Sequence, residues 1–286
     1  MARRARNRWR PFLALALLPF VLWLMLRWFE PANVYHPTRS FWAQADVLGR
    51  SFEEVWLTAR DGVRLHGWFF PAAGDSPRRH LAVLHCHGNG GNISHRVEVA
   101  GALLETGVNV LLFDYRGYGR SAGSPGEEGT YLDAEAAHAW LVGRGFAATN
   151  VIAFGESLGG AVATELALRA PLAGLVLQSA FTSIPDIGAE LFPFLPVRWI
   201  ARLRYDTHAK LPRIRVPVLI LHSRADTLVS FGHAERNFAV ANEPKQLAEL
   251  AGDHNDFLEA GRGKLVNAFG AWLETLPAEA WPPQER

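Results

Sequence analysis

The stretch Val151-Ile152-Ala153-Phe154-Gly155-Glu156-Ser157-Leu158-Gly159-Gly160-Ala161-Val162-Ala163-Thr164 decides the fold of this chain. Four apolar residues make a buried-strand pattern, a Gly-x-Ser-x-Gly turn follows, and helix formers run on through Leu166-Ala167-Leu168. Glycines on both sides of the serine fit a chain that reverses sharply with a helix packed close behind, where a Cβ would clash. The serine is then presented at a helix start, whose unpaired backbone N–H groups favour a developing oxyanion. The competing reading is a Gly-rich connection with an incidental serine, and only the flanking sequence separates the two.

Upstream, Phe52-Glu53-Glu54-Val55-Trp56-Leu57-Thr58 alternates as a half-exposed strand, and Asp61-Gly62 turns it into Arg64-Leu65-His66-Gly67-Trp68-Phe69-Phe70. Continuous apolar strands are expected at 81–86, 108–113, 174–178 and 218–221, with helices at 94–105, 130–142 and 158–169. Strands alternating with helices predict an α/β fold. Its central sheet is mainly parallel and covered by helices on both faces, with the opening hairpin antiparallel at one edge. Such a sheet places its chemistry at the carboxyl ends of strands.

Two loops lie there. His87-Gly88-Asn89-Gly90-Gly91-Asn92 has the glycines that let backbone N–H groups approach a ligand, so the Asn89 and Leu158 amides are the expected oxyanion donors. Neither a Walker nor a dinucleotide fingerprint is present in it, which argues against a nucleotide loop. Asp114-Tyr115-Arg116-Gly117-Tyr118-Gly119-Arg120-Ser121 leads into a turn-rich segment and reads as a structural turn. His85 and His87 lack the further ligands a metal pair would need.

A serine needs a base, and the base needs an orienting acid. Asp226 follows the strand Val218-Leu219-Ile220-Leu221-His222, and His254 follows the strand-like 245–251 in Gly252-Asp253-His254-Asn255-Asp256. The order Ser157, Asp226, His254 is the expected one. His222 and His233 are the alternative bases, and Asp256 is assigned instead to capping the helix that begins at Phe257.

Taken together, the elbow, the 87–92 loop, the 114–121 run and the loops at 223–226 and 252–256 resemble an α/β-hydrolase of the membrane-associated serine hydrolase group that includes the Bem46-like proteins. The resemblance covers roughly residues 50–275 and implies a Ser157–Asp226–His254 triad with no metal or organic cofactor. It also implies ester or thioester substrates of varied kinds, so the substrate itself does not follow from it.

Composition bounds the rest. Residues 1–30 hold six Arg and one Glu, which leaves 23 basic against 27 acidic residues in the body, a net of −4. A basic nucleic-acid footprint is absent there, and no nucleic-acid partner is expected. The lone Cys86 excludes an internal disulfide.

Five arginines precede position 11, and residues 11–26 carry no charge. Residues 11–29 would span about 28 Å as a helix, close to a bilayer's hydrocarbon core. The bulky exit Arg27-Trp28-Phe29 favours an uncleaved anchor over a cleaved signal peptide, with the arginine flank cytoplasmic and the body beyond the membrane. The expected organisation is a basic flank and transmembrane anchor over 1–30, a juxtamembrane linker over 31–50, and a catalytic domain over 51–286. Within that domain the apolar insertion 181–211 reads equally as a short lid or as packing against the sheet.

The expected function is a membrane-anchored serine hydrolase of carboxylic, lipid-like esters or thioesters. A serine peptidase or amidase on the same fold is the enzymatic alternative. A catalytically silent, membrane-anchored binding protein is the alternative from another class.

Overall fold

The computed structural model of the chain describes residues 27–277. Residues 27–34 are helical (α1) and lead into the short strand β1, His36–Pro37. The hairpin β2 (Glu53–Thr58) and β3 (Arg64–Phe70) follows, then β4 (Ala82–Cys86), the two-residue β5 (Gly90–Gly91), α2 (Val97–Glu105) and β6 (Asn109–Phe113). Next come α3 (Glu127–Gly143), β7 (Val151–Glu156), α4 (Leu158–Arg169) and β8 (Gly174–Gln178). The insertion carries α5 (Ile184–Leu191), α6 (Val197–Ile200) and α7 (Thr207–Lys210). The chain ends with β9 (Val218–Ser223), α8 (Phe231–Val240), β10 (Lys245–Leu250) and α9 (Phe257–Leu273).

Eight strands form one sheet in the order β10-β9-β8-β7-β4-β6-β3-β2. The six from β10 to β6 are parallel, β3 runs antiparallel to β6, and β2 antiparallel to β3. Residues of period two divide each parallel strand between two cores. Val151 and Ala153 of β7 join the side chains of α3, α4 and α8, whereas Ile152 and Phe154 join those of α2 and α9. Burial on both faces explains why these strands read as unbroken apolar runs. From β4 the chain steps to β6 on one side and later to β7 on the other. The loops after β4 and β7 therefore flank one crevice, the switch point where open α/β sheets carry their sites.

Of the boundaries expected from sequence, one falls outside the described residues and another gains a structural role. The arginine flank and the uncharged run to residue 26 lie outside the described residues, and among the described residues no helix is long and apolar enough to cross a membrane. Residues 31–50, expected as a juxtamembrane linker, are in part packed onto the body. Parallel pairing of β1 with β5 joins His36 to Gly90 and Pro37 to Gly91, and the Asn92 side-chain amide donates to the Thr38 and Ser40 carbonyls at 3.1 and 2.7 Å. Short polar stretches without periodicity carry no signal for such pairing. The helix α8, likewise not anticipated, presents only His233, Ala234 and Asn237 as buried residues, too weak an apolar stripe to read.

Candidate active site

The turn between β7 and α4 is as tight as its glycines imply. Ser157 sits at φ 52°, ψ −114°, a conformation that L residues rarely adopt and that places its side chain outside the turn. A Cβ on Gly155 would come within 2.3 Å of the Gly159 carbonyl oxygen, and one on Gly159 within 1.9 Å of the Cys86 carbonyl oxygen. Backbone fills both places, so no side chain can yield to make room. The Ser157 N–H donates to Gln178 O at 2.9 Å, which fastens the strained residue to the neighbouring strand β8.

His254 reaches this serine from the loop after β10. Its Nε2 lies 3.1 Å from Ser157 Oγ, and its Nδ1 lies 2.7 Å from Asp226 Oδ2. Gly252, at φ 87°, turns the loop inward, and a Cβ there would meet Asp256 Oδ1 at 2.7 Å. Asp226 leaves the end of β9, where its Oδ1 accepts from the Leu228 and Val229 amides at 3.0 and 2.8 Å. Burial opposes its charge, but hydrogen bonds from His222 and His254, the His254 charge and the Val229 amide outweigh burial and hold this carboxyl well below the usual carboxylate range. An ionised Asp226 fixes the proton on His254 Nδ1 and leaves Nε2 as the acceptor facing the serine hydroxyl.

The alternative bases fall elsewhere. His222 lies behind the acid, its Nε2 2.8 Å from Val229 O and 3.4 Å from Asp226 Oδ2. His233 bonds Thr182 and Glu190. Neither makes a hydrogen bond to Ser157. Asp253 has a role the sequence did not disclose: its Oδ1 accepts from the Thr227 and His254 amides, both at 2.7 Å, and so ties the acid's loop to the base's loop. Asp256 stands at the cap position of α9 but makes no side-chain cap bond; its Oδ1 accepts from the Asp253 amide instead. The cap expected there is corrected to a brace within the 252–256 loop.

Asn89 and Leu158 line one cavity with Ser157 and His254. Among the described residues neither backbone N–H donates to a protein acceptor, and Leu158 is the first residue of α4, as an oxyanion site requires. The Asn89 carbonyl is held by the His36 amide at 3.0 Å and the Tyr118 hydroxyl at 2.8 Å. Tyr115 and Tyr118 thus turn the 114–121 run into a buttress, since the Tyr115 hydroxyl also bonds His87 O at 3.2 Å. Arg96 spans the two loops: it grips Glu156 at 2.7 and 3.0 Å and donates to Gly90 O at 3.0 Å. Burial disfavours the Glu156 charge, yet Arg96 with His85 and His87 keeps that carboxyl below its ordinary range. The residue between glycine and serine is therefore a structural anchor for the oxyanion loop.

The cavity measures about 880 Å³, within the span of about 300–1,000 Å³ typical of small-molecule sites. The insertion does both things expected of it. Leu191, Phe192, Leu195 and Ile200 line the cavity that holds Ser157, Ile187 lines it while also joining the core, Phe181, Tyr205 and Leu211 are buried in that core, and Phe194 and Trp199 are 97% and 91% exposed.

The family described as "Serine aminopeptidase, S33" matches residues 77–208, a span that contains Asn89, Ser157 and Leu158 and stops short of Asp226 and His254. Fold, site and relatives together define the class: the chain belongs to the α/β-hydrolase superfamily. It is 40% identical to an uncharacterized protein of Mycobacterium tuberculosis over 88% of this chain and 90% of that one. With the α/β hydrolase domain-containing protein WAV2 of Arabidopsis thaliana it shares 35% identity over 74% and 76% of the two chains. The protein bem46 of Schizosaccharomyces pombe is 31% identical over 62% of each. Among solved structures, the Pyrococcus furiosus esterase Pf2001 superposes with a TM-score of 0.68 at 23% identity, covering 85% of this chain and 98% of that one, a likeness of fold.

Proposed function

We propose that the protein is a membrane-anchored serine hydrolase that cleaves carboxylic esters or thioesters with an apolar acyl part, through an acyl-enzyme. The observation that carries this is the Ser157 hydroxyl 3.1 Å from His254 Nε2 at the base of a predominantly apolar cavity. Ser157 Oγ attacks the acyl carbonyl while its proton passes to His254 Nε2, and the carbonyl oxygen takes up charge beside the Asn89 and Leu158 amides. His254 returns the proton to the departing alcohol or thiol as the carbon–heteroatom bond breaks. A water then repeats the sequence on the acyl-serine, giving the carboxylic acid and free Ser157.

The family's description raises the aminopeptidase alternative, and the cavity's own charges weigh against it. Recognition of a substrate α-ammonium needs an available carboxylate. Among the described residues Glu30 and Glu156 are the carboxylates on the cavity lining; Glu30 is engaged through Oε1 by two backbone amides and Glu156 by Arg96. Turnover of matched ester and amide substrates with acyl chains from acetyl to dodecanoyl separates the readings. Esters are expected to dominate, with kcat/KM rising along the series at about 0.8 kcal/mol per buried methylene until the cavity is full. Faster cleavage of aminoacyl amides than of any ester would replace this proposal with the peptidase.

Anchorage through residues 11–29 belongs to the same proposal. Trp28 is 76% exposed where the chain emerges from that run and shares the cavity lining with Phe192, itself 37% exposed, as suits a body seated at a headgroup layer. A reporter fused after Arg286 is expected to be active only beyond the cytoplasmic membrane, with residues 1–30 retained on the mature chain. A mature N-terminus near Ala32 would instead mean a cleaved, exported enzyme.

A further inference from the structure

We infer that α1, the continuation of the proposed anchor, is a wall of the acyl-binding cavity, and that Phe29 and Glu30 determine acyl-chain preference. This rests on the ester-hydrolase reading of Ser157 and adds a specificity determinant from outside the 51–286 body. Trp28, Phe29, Glu30, Asn33 and Val34 all line the cavity that contains Ser157. The Phe29 ring meets the lid's Phe192 edge-on, with centroids 6.1 Å apart.

The helix is held at both ends by the two elements it separates. At the lid, Glu30 Oε1 accepts from the consecutive amides of Arg202 and Leu203 at 2.7 and 2.8 Å. At the oxyanion loop, the Asn89 side chain donates to Val34 O at 3.0 Å, and β1 pairs with β5 immediately beyond. A third tie runs through the hydroxyls of Tyr35, Tyr205 and Thr130, each 2.9 Å from the next. A carboxylate that satisfies two adjacent lid amides fixes the lid's height over the serine; without it both amides lose their acceptor and the lid loses its stop. Phe29 is 41% exposed, so it closes the cavity's rim against water rather than filling its depth. An acyl chain long enough to pass Phe29 is desolvated there, whereas an acetyl group never reaches it.

The full-length protein in detergent micelles is treated with ethyl, octyl and dodecyl fluorophosphonates, and the rate of covalent labelling at Ser157 is measured. The wild type is expected to react faster with the octyl than with the ethyl reagent. Phe29→Ala lowers that octyl-to-ethyl ratio on the order of tenfold, the equivalent of about two methylenes no longer shielded. Glu30→Ala lowers it comparably, and Glu30→Gln, which keeps an acceptor oxygen, restores most of the loss. A general loss of folding slows all three reagents together and leaves the ratio alone, so the ratio isolates the wall. A wild-type octyl preference that survives intact in both alanine variants overturns the role of α1 while leaving the hydrolase standing. A wild type that no reagent labels overturns both.

Discussion

Ser157→Ala is expected to abolish turnover and fluorophosphonate labelling together, with a loss on the order of 10⁶-fold in kcat, because the group that forms the covalent bond is gone. The fold should survive. Among the described residues Ser157 Oγ bonds only His254, while the backbone at this position is held through the Ser157 N–H to Gln178 O and the Gly160 N–H to Ser157 O, and neither bond needs the side chain. A positive φ is no easier for alanine than for serine, so the thermal midpoint should stay within a few degrees of wild type. Mass spectrometry of the labelled protein locates the adduct. Label that persists on the alanine variant would assign the nucleophile elsewhere.

Asp226→Asn is expected to lower kcat on the order of 10³–10⁴-fold without removing the nucleophile. An asparagine Oδ1 can still accept from the Leu228 and Val229 amides, so the loop keeps its shape. Its NH₂ would face His254 Nδ1 as a donor and drive the ring proton to Nε2, where it points at the serine and blocks proton acceptance. Stability supplies an independent sign. The Asp226 carboxyl titrates below its unfolded value, so its contribution is fully present above about pH 4 and is lost as pH falls through the folded value. The stability difference between wild type and Asp226→Asn should therefore shrink on acidification below about pH 4, as followed by denaturant unfolding. Loss of activity on Asp253→Asn with Asp226→Asn unaffected would move the acid to the neighbouring loop.

Much of the sheet was legible because its cause is local. Apolar runs bounded by turn residues place β3, β7, β8 and α4 within a residue or two of their observed ends. The elbow is legible for a stronger reason: Gly155 and Gly159 stand where backbone atoms leave no space for a Cβ, so the residue type itself records the geometry. Asp226 and His254 were readable through their positions after β9 and β10, since a parallel sheet brings its strand ends to one edge. The burial of residues 31–38 was not readable, because two-residue strands and carbonyl acceptors have no side-chain signature. Asp253 and Glu156 escaped likewise, as their distant partners are the Thr227 amide of another loop and an arginine 60 positions away.

The sequence by itself determined the α/β fold, the strained serine and the order of acid and base, since steric exclusion at glycines and hydrophobic period act over a few residues. Tertiary structure supplied the contact itself between His254 and the aspartate expected to face it. Asp226 is 28 residues away and Asp253 adjacent, yet sheet closure aims the distant one at Nδ1 and turns the near one onto the backbone. It also brought residues of the 181–211 insertion and of the segment after the apolar run to the lining of one cavity. Those outcomes depend on Glu30 meeting amides more than 170 positions along the chain, a pairing set by how the packed elements enclose space rather than by any pattern either segment carries.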